Sequence, residues 1–325
     1  MNGRRCVVFA IGAGTLASML SPAARAQGAR SIRLGIFGPG SAAGNKEWLS
    51  SFVGQMRTLG YVEGRNLALD VRWVEGRSDA LPQLAAELVA LKVDVIVAVQ
   101  TPFALAARQA TATIPIVMAP TADPVATGLV ASLARPGGNV TGMSAAVGEL
   151  AAKTLELLKE MIPAARRIGV LANAEDTFAR TFLEHVEPAG RRLGVTLMIH
   201  SLRGTDQLEA TFETLAKARA DALLVQPSLP QRRVAELALR HRLPTGAPGQ
   251  LFSNVGGLMS YSSSREEQAQ LAAYYVDRIA RGAKPADLPV QQPLRYEIAV
   301  NMKSAREIGL AIPPAFIARI DRVFE

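Results

Sequence analysis

The sequence predicts an α/β protein built from two open parallel-sheet lobes joined by a three-strand hinge. Three observations point to this: apolar runs of strand length alternate with helical patterns, one supersecondary unit occurs twice, and three extended stretches could cross between the copies. Strict alternation of strand and helix implies parallel sheets covered on both faces.

Taken in order, the expected strands are 32–37, 67–73, 93–99, 114–119, 167–172, 195–201, 222–226 and 257–261. Helical patterns fall at 48–59, 81–91, 103–110, 178–193, 208–218 and 232–240. Trp48 opens an amphipathic helix and is expected in the core.

An internal echo sets the domain organisation. In the first half Arg57-Thr58-Leu59-Gly60 closes a helix, and a strand, a helix, the strand VDVIVAVQ, a polar turn and another helix follow. In the second half Arg191-Arg192-Leu193-Gly194 closes a helix and the same order follows, with ADALLVQPS as its third strand. Between them RPGGNVTG breaks any helix and offers a short extended piece, the first hinge strand. GGLMSYSSS and LPVQQPLRYEIAV are the second and third, so lobe one is expected at 31–142 plus 260–290 and lobe two at 143–259 plus 291–325. Such a geometry suits closure around something small.

Residues 1–26 read as a secretory signal peptide: Arg4 and Arg5 precede an uncharged apolar run from Cys6 to Leu20, and Ala24-Arg25-Ala26 offers a cleavage site. Cys6 stands at the start of that run rather than after it, which argues against a lipid anchor. A cleaved, exported chain would keep 33 of its 36 basic residues against 28 acidic ones. Its Arg pairs, such as Arg166-Arg167 and Arg232-Arg233, are scattered over helix surfaces, so no nucleic-acid partner is expected. It would hold no Cys, which removes disulfides, thiolate metal sites and a Cys nucleophile.

Catalytic readings find little support. Gly38-Pro39-Gly40-Ser41-Ala42-Ala43 matches G-x-G-x-x-A after the first strand, but Pro39 lacks an amide hydrogen and no ribose-binding acid ends a strand near 59–61. No nucleophile elbow or zinc-protease motif occurs, and His185, His200 and His241 are far apart. The expectation is a non-enzyme without metal or cofactor, with an exported two-lobed hydrolase, or a ligand-sensing receptor without transport, as the alternatives.

Ligands in open parallel sheets bind beyond the carboxyl ends of the strands. Those ends supply Ser41, Gln100, Thr101, Thr121 and Asp123 from the first half, and Asn173, Asp176 and Ser228 from the second. Thr101-Pro102 and Asp123-Pro124 each read as an N-cap followed by Pro in the first helical turn, which would present free amides to a carboxylate. Asp123 or Asp176 would face an ammonium group. Tyr261, at the second hinge strand, could pack its ring on a ligand.

The stretch TPFALAARQATATIPIVMAPTADPVATGLVASLARPGGNVTG resembles the signature region of ABC-transporter substrate-binding proteins of the tryptophan/tyrosine type. GGLMSYSSS and YYVDRIARGAKPADLPVQQPLRYEIAVNMKSAREIGLAIPP resemble that family's C-terminal pattern. The resemblance implies a type I periplasmic-binding-protein-like fold, a periplasmic monomer that closes on a small amino-acid-like or carboxylate solute, and an ABC permease of the inner membrane as partner. Three departures bear on the ligand: Gln291 stands where the family has an acid, GPGSAAG follows strand one, and ANAEDT replaces a turn rich in Asn and Pro.

Overall fold

The computed structural model describes residues 31–74, 78–176, 178–249 and 251–325; the expected signal peptide lies outside them. Two sheets form the framework. The first has the order β2-β1-β3-β4-β5, from β1 (Ile32–Gly38), β2 (Leu67–Trp73), β3 (Val95–Ala98), β4 (Ile116–Thr121) and β5 (Val140–Ser144), all parallel. Helices α1 (Lys46–Thr58), α2 (Leu81–Ala90) and α3 (Thr101–Ala110) connect its first four strands.

Alternation along each strand divides its side chains between two cores. Val95 and Val97 join Trp48, Phe52 and Met56 of α1, while Ile96 and Ala98 join Leu84, Leu88 and Phe103 on the opposite face. Burying each large apolar side chain contributes about 1.5–3 kcal/mol, so two filled faces fix the register of the sheet.

The chain then passes to α4 (Val147–Met161) and the second unit: β6 (Arg167–Asn173), α5 (Ala179–Leu193), β7 (Thr196–Leu202), α6 (Leu208–Lys217), β8 (Ala222–Val225), α7 (Gln231–Arg240), β9 (Thr245–Pro248), α8 (Leu251–Asn254) and β10 (Met259–Ser263). α9 (Arg265–Ala280) returns to pack on α1, and β11 (Tyr296–Asn301), α10 (Met302–Ile308), α11 (Pro314–Ile317) and β12 (Arg322–Phe324) complete the second sheet. Its order is β12-β11-β10-β9-β8-β6-β7, with β11 antiparallel to β10.

The echo in the sequence is a real repeat of topology. Removing β11 and β12 leaves β7-β6-β8-β9-β10, the same arrangement as β2-β1-β3-β4-β5. In both copies the glycine closing the helix after the first strand has a positive φ, 94° at Gly60 and 64° at Gly194, the left-handed conformation that ends a helix most cheaply with Gly.

Three passages join the sheets. The first follows Ser144, the second is Ser264, and the third runs from Gln291, which bridges Met143 of β5, to Tyr296. β5 and β10 both exit at their carboxyl ends, so the carboxyl edges of the two sheets border the same seam. β9 and β12 are not legible as strands in the sequence: Thr-Gly-Ala-Pro lacks a β-branched run and β12 has three residues.

Candidate functional site

The rim of the first lobe is made of loops that hold themselves in place. After β1, Asn45 donates from Nδ2 to the carbonyls of Pro39 (2.8 Å) and Ser41 (3.0 Å), and Gly44 N–H approaches Ser41 Oγ at 3.4 Å. Gln100, between β3 and α3, has φ 74° and ψ 159°, a region that residues with a side chain avoid, and its N–H donates to Pro120 O. Such backbone strain persists only where surroundings over-determine it, and it clusters at ligand sites. The side chain of Gln100 is exposed at this edge.

Thr101 is not an N-cap. It is the first residue of α3, and its Oγ1 accepts from Ala122 N–H at 2.9 Å, tying the end of β4 to the start of α3. Thr121 is 1% exposed, and its hydroxyl turns inward toward Met118 Sδ (3.1 Å) and Met143 O (3.5 Å). Asp123 does cap, but what it caps is a single hydrogen-bonded turn rather than a helix. Its Oδ1 accepts from Val125 N–H (3.1 Å) and Ala126 N–H (3.0 Å), and its carbonyl accepts from Thr127. The amides expected to greet a carboxylate are therefore consumed by the acid's own side chain. β4 has already ended at Thr121, and residues 124–128 form a turn rather than a helix.

On the second lobe, Gln226 organises the rim. It is 1% exposed, its Oε1 accepts from Asn173 N–H and its Nε2 donates to Asp176 Oδ2, both at 2.7 Å. Asn173 Oδ1 accepts from Glu175 N–H, and Asp176 Oδ1 accepts from Phe178 N–H at 2.9 Å, so one buried amide and two local turns fix the loop leading into α5. Ser228 is exposed in the turn between β8 and α7. Asn173 and Asp176 are thus brought together, as are Thr101 and the Thr121–Asp123 segment. Tyr261 stands apart: its ring stacks on Tyr296 (centroids 5.6 Å, planes 28° apart) against the α4 side of the second core, and burial raises its phenol pKa.

One polar cluster escaped the sequence reading. Glu47 of α1 accepts from Arg322 of β12 at 3.1 Å, an ion pair between the lobes, and Arg265 at the start of α9 lies beside both. Burial lowers the Arg265 pKa; Glu47 opposes that effect and Arg322 adds to it. No sequence spacing signals the group, because its members come from three distant segments.

The family model for ABC transporter substrate-binding proteins matches residues 41–323. The chain belongs to that family. A tyrosine-binding protein of Clostridioides difficile is 27% identical over 265 residues, spanning 80% of this chain and 75% of that protein. The crystal structure of a conserved domain protein from Vibrio cholerae superposes with TM-score 0.79 at 25% identity, covering 90% of this chain and all of that one. An ABC domain from Streptococcus pneumoniae in complex with L-Trp gives TM-score 0.79 at 24% identity over the same shares, a likeness of fold. The two parallel-dominated sheets are accordingly those of a type I periplasmic-binding-protein-like substrate-binding protein.

Proposed function

We propose that this substrate-binding protein is exported, holds an aromatic amino acid or a similar small carboxylate between its lobes, and presents the closed form to an ABC permease of the inner membrane. Lobe one would comprise 31–144 with 265–291, and lobe two 145–263 with 296–325. The observation that carries the reading is the pair of strand-end rims: short polar loops on two duplicated sheets, each braced by its own hydrogen bonds, with three crossings between the sheets. The tyrosine-binding relative supports an amino acid as solute.

Within the cleft, Gln100 on its strained backbone and Ser41 in the loop after β1 offer hydrogen bonds from lobe one. Asn173, Asp176 and Ser228 offer them from lobe two. Asp176 keeps its carboxylate at the rim, where it can face an ammonium group. Residues at both rims make closure and binding a single equilibrium, since a solute touching both lobes favours the state in which both reach it. Protein freed of carried-over ligand by unfolding and refolding should be screened by thermal shift against the twenty amino acids and aromatic acids, with product analysis for any hit. Stabilisation by an aromatic amino acid without turnover supports the reading; turnover points to the hydrolase, and no stabilisation by any compound removes the solute assignment.

A further inference from the structure

Helix α9 opens on Ser264-Arg265-Glu266-Glu267, the S-x-x-E spacing of a capping box. In that motif the N-cap hydroxyl accepts from the N–H of the residue three on, and the acid reaches back to the N-cap N–H. Neither bond is made here. Ser264 stands at the N-cap with non-helical backbone (φ −57°, ψ 129°), yet its Oγ is buried without a hydrogen-bond partner among the described residues. A hydroxyl that has left water without gaining a bond carries its desolvation penalty, which a native structure rarely tolerates without reason.

Both members of the box reach across to the third crossing instead. Ser264 N–H donates to Arg295 O at 2.9 Å, while Leu294 N–H donates to Glu267 Oε1 at 2.9 Å and Arg295 N–H to Glu267 Oε2 at 2.8 Å. Gln268, next along the helix, donates from Nε2 to Ser263 O (3.2 Å) and Ser263 Oγ (2.7 Å), gripping the second crossing as well. α9 itself is fixed in lobe one, where Ala269, Ala272 and Val276 share a core with Trp48 and Phe52 of α1. Tyr296, the residue after Arg295, pairs with Ser263 in the second sheet. The first turn of α9 therefore holds the end of the third crossing to lobe one at the point where the chain enters lobe two.

The two sets of bonds exclude each other. Ser264 has one N–H, which serves either Arg295 O or the Glu267 carboxylate, and a carboxylate that clamps two crossing amides is not free to close the box. Leu294 is 87% exposed and Arg295 is exposed, so water is at hand to replace the clamp when the crossing is released. Closing the box would in turn give the buried Ser264 hydroxyl its missing bond.

We propose that Ser264 and Glu267 form a two-position hinge latch, either engaged with the third crossing, as in this structure, or disengaged and closed on each other as a capping box. The latch couples the angle between the lobes to a local exchange of hydrogen bonds, so both are positioning residues for closure that need no contact with the solute. The proposal rests on the reading that the lobes move about the three crossings. Its test uses no solute, so an error in the solute assignment leaves it standing.

The two residues have opposite expected effects. Glu267→Gln keeps a box, which accepts Gln at this position, but replaces a two-oxygen clamp with a single acceptor, so it favours the disengaged latch. Ser264→Ala removes a hydroxyl that has no bond in the engaged latch and is needed in the other, so it favours the engaged one. Refolded, ligand-free chain carrying Cys6→Ser is spin-labelled at Gln83→Cys on α2 and Arg232→Cys on α7, both exposed, and double electron–electron resonance reads the distance between the lobes. Amide hydrogen exchange at Leu294 and Arg295 reads the clamp. Glu267→Gln should move the distance distribution away from that of the engaged structure and speed exchange at both amides about fivefold or more. Ser264→Ala should move the distribution toward the engaged distance and slow the same exchange. Should Glu267→Gln fail to fold, Ser264→Ala decides alone, and unchanged or faster exchange then overturns the proposal. Shifts of the same sign in both variants, behaviour identical to wild type, or exchange that changes while the distance between the lobes does not, overturn it equally.

Discussion

Replacing Gln226 by Leu tests the idea that one buried amide sets the second rim. Leu keeps most of the volume in a position that is 1% exposed, so the change removes polarity rather than packing. Lost are the 2.7 Å bond from Asn173 N–H and the 2.7 Å bond to the Asp176 carboxylate. The neutral bond is worth about 0.5–1.5 kcal/mol and the one to a charged group about 1.5–3 kcal/mol. Asp176 is only half-buried and water can replace part of the second, so the expected loss is about 2–3 kcal/mol in unfolding free energy, read from urea titration. Gln226→Glu sharpens the test by placing two carboxylates in contact. One of them must then hold a proton, so this variant should be most destabilised at neutral pH and recover relative to wild type as pH falls toward about 5. A loss below about 0.5 kcal/mol for Leu, or a Glu variant indifferent to pH, would refute the argument.

Three further outcomes follow from the fold. Glu47→Gln breaks the inter-lobe pair with Arg322, whose side chains are 63% and 34% exposed, so the effect on stability should be about 0–1 kcal/mol and should vanish between low salt and about 1 M NaCl. Gly142→Ala should cost about 3 kcal/mol or more, or abolish soluble expression, because φ is 126° and a Cβ would sit 2.4 Å from Met118 O; wild-type thermal stability would contradict this. Acid should destabilise the fold through Asp70 and Asp221. The Arg33 guanidinium hydrogen-bonded to Asp70 lowers that carboxyl's pKa; at Asp221 burial pushes upward, but N–H donors from Arg166 and Arg167 prevail. Both contributions are complete above the ordinary carboxylate pKa of about 4 and fade as pH falls through the lower folded values, so Asp221→Asn should flatten the acid limb of a stability-pH curve.

The duplicated sheet was legible because burial on both faces forces continuous apolar strands, and because Arg-x-Leu-Gly helix ends recur at Gly60 and Gly194. The strand-end loops were legible too, since parallel sheets put their carboxyl edges at the seam. What a side chain does inside such a loop was not. Thr101 and Asp123 share a cap-plus-Pro signature, yet one accepts from a neighbouring strand end and the other closes a lone turn. The difference rests on which backbone amide lies within reach, a tertiary fact. Glu47 and Arg322 are 275 residues apart, and Arg265 reads locally as an ordinary first-turn residue, so the charged seam has no one-dimensional trace. Tyr261 was placed at a hinge strand by pattern, but its partner Tyr296 arrives from the antiparallel β11.

The central claim is that a member of this family with this cleft closes on an aromatic amino acid. Calorimetric titration of refolded, ligand-free protein with L-tyrosine and then L-tryptophan tests it most directly. Saturable one-to-one binding of at least one of them is expected, with a negative heat-capacity change from burying the ring. No saturable heat for either up to about 1 mM, a limit of about −4 kcal/mol, would contradict it.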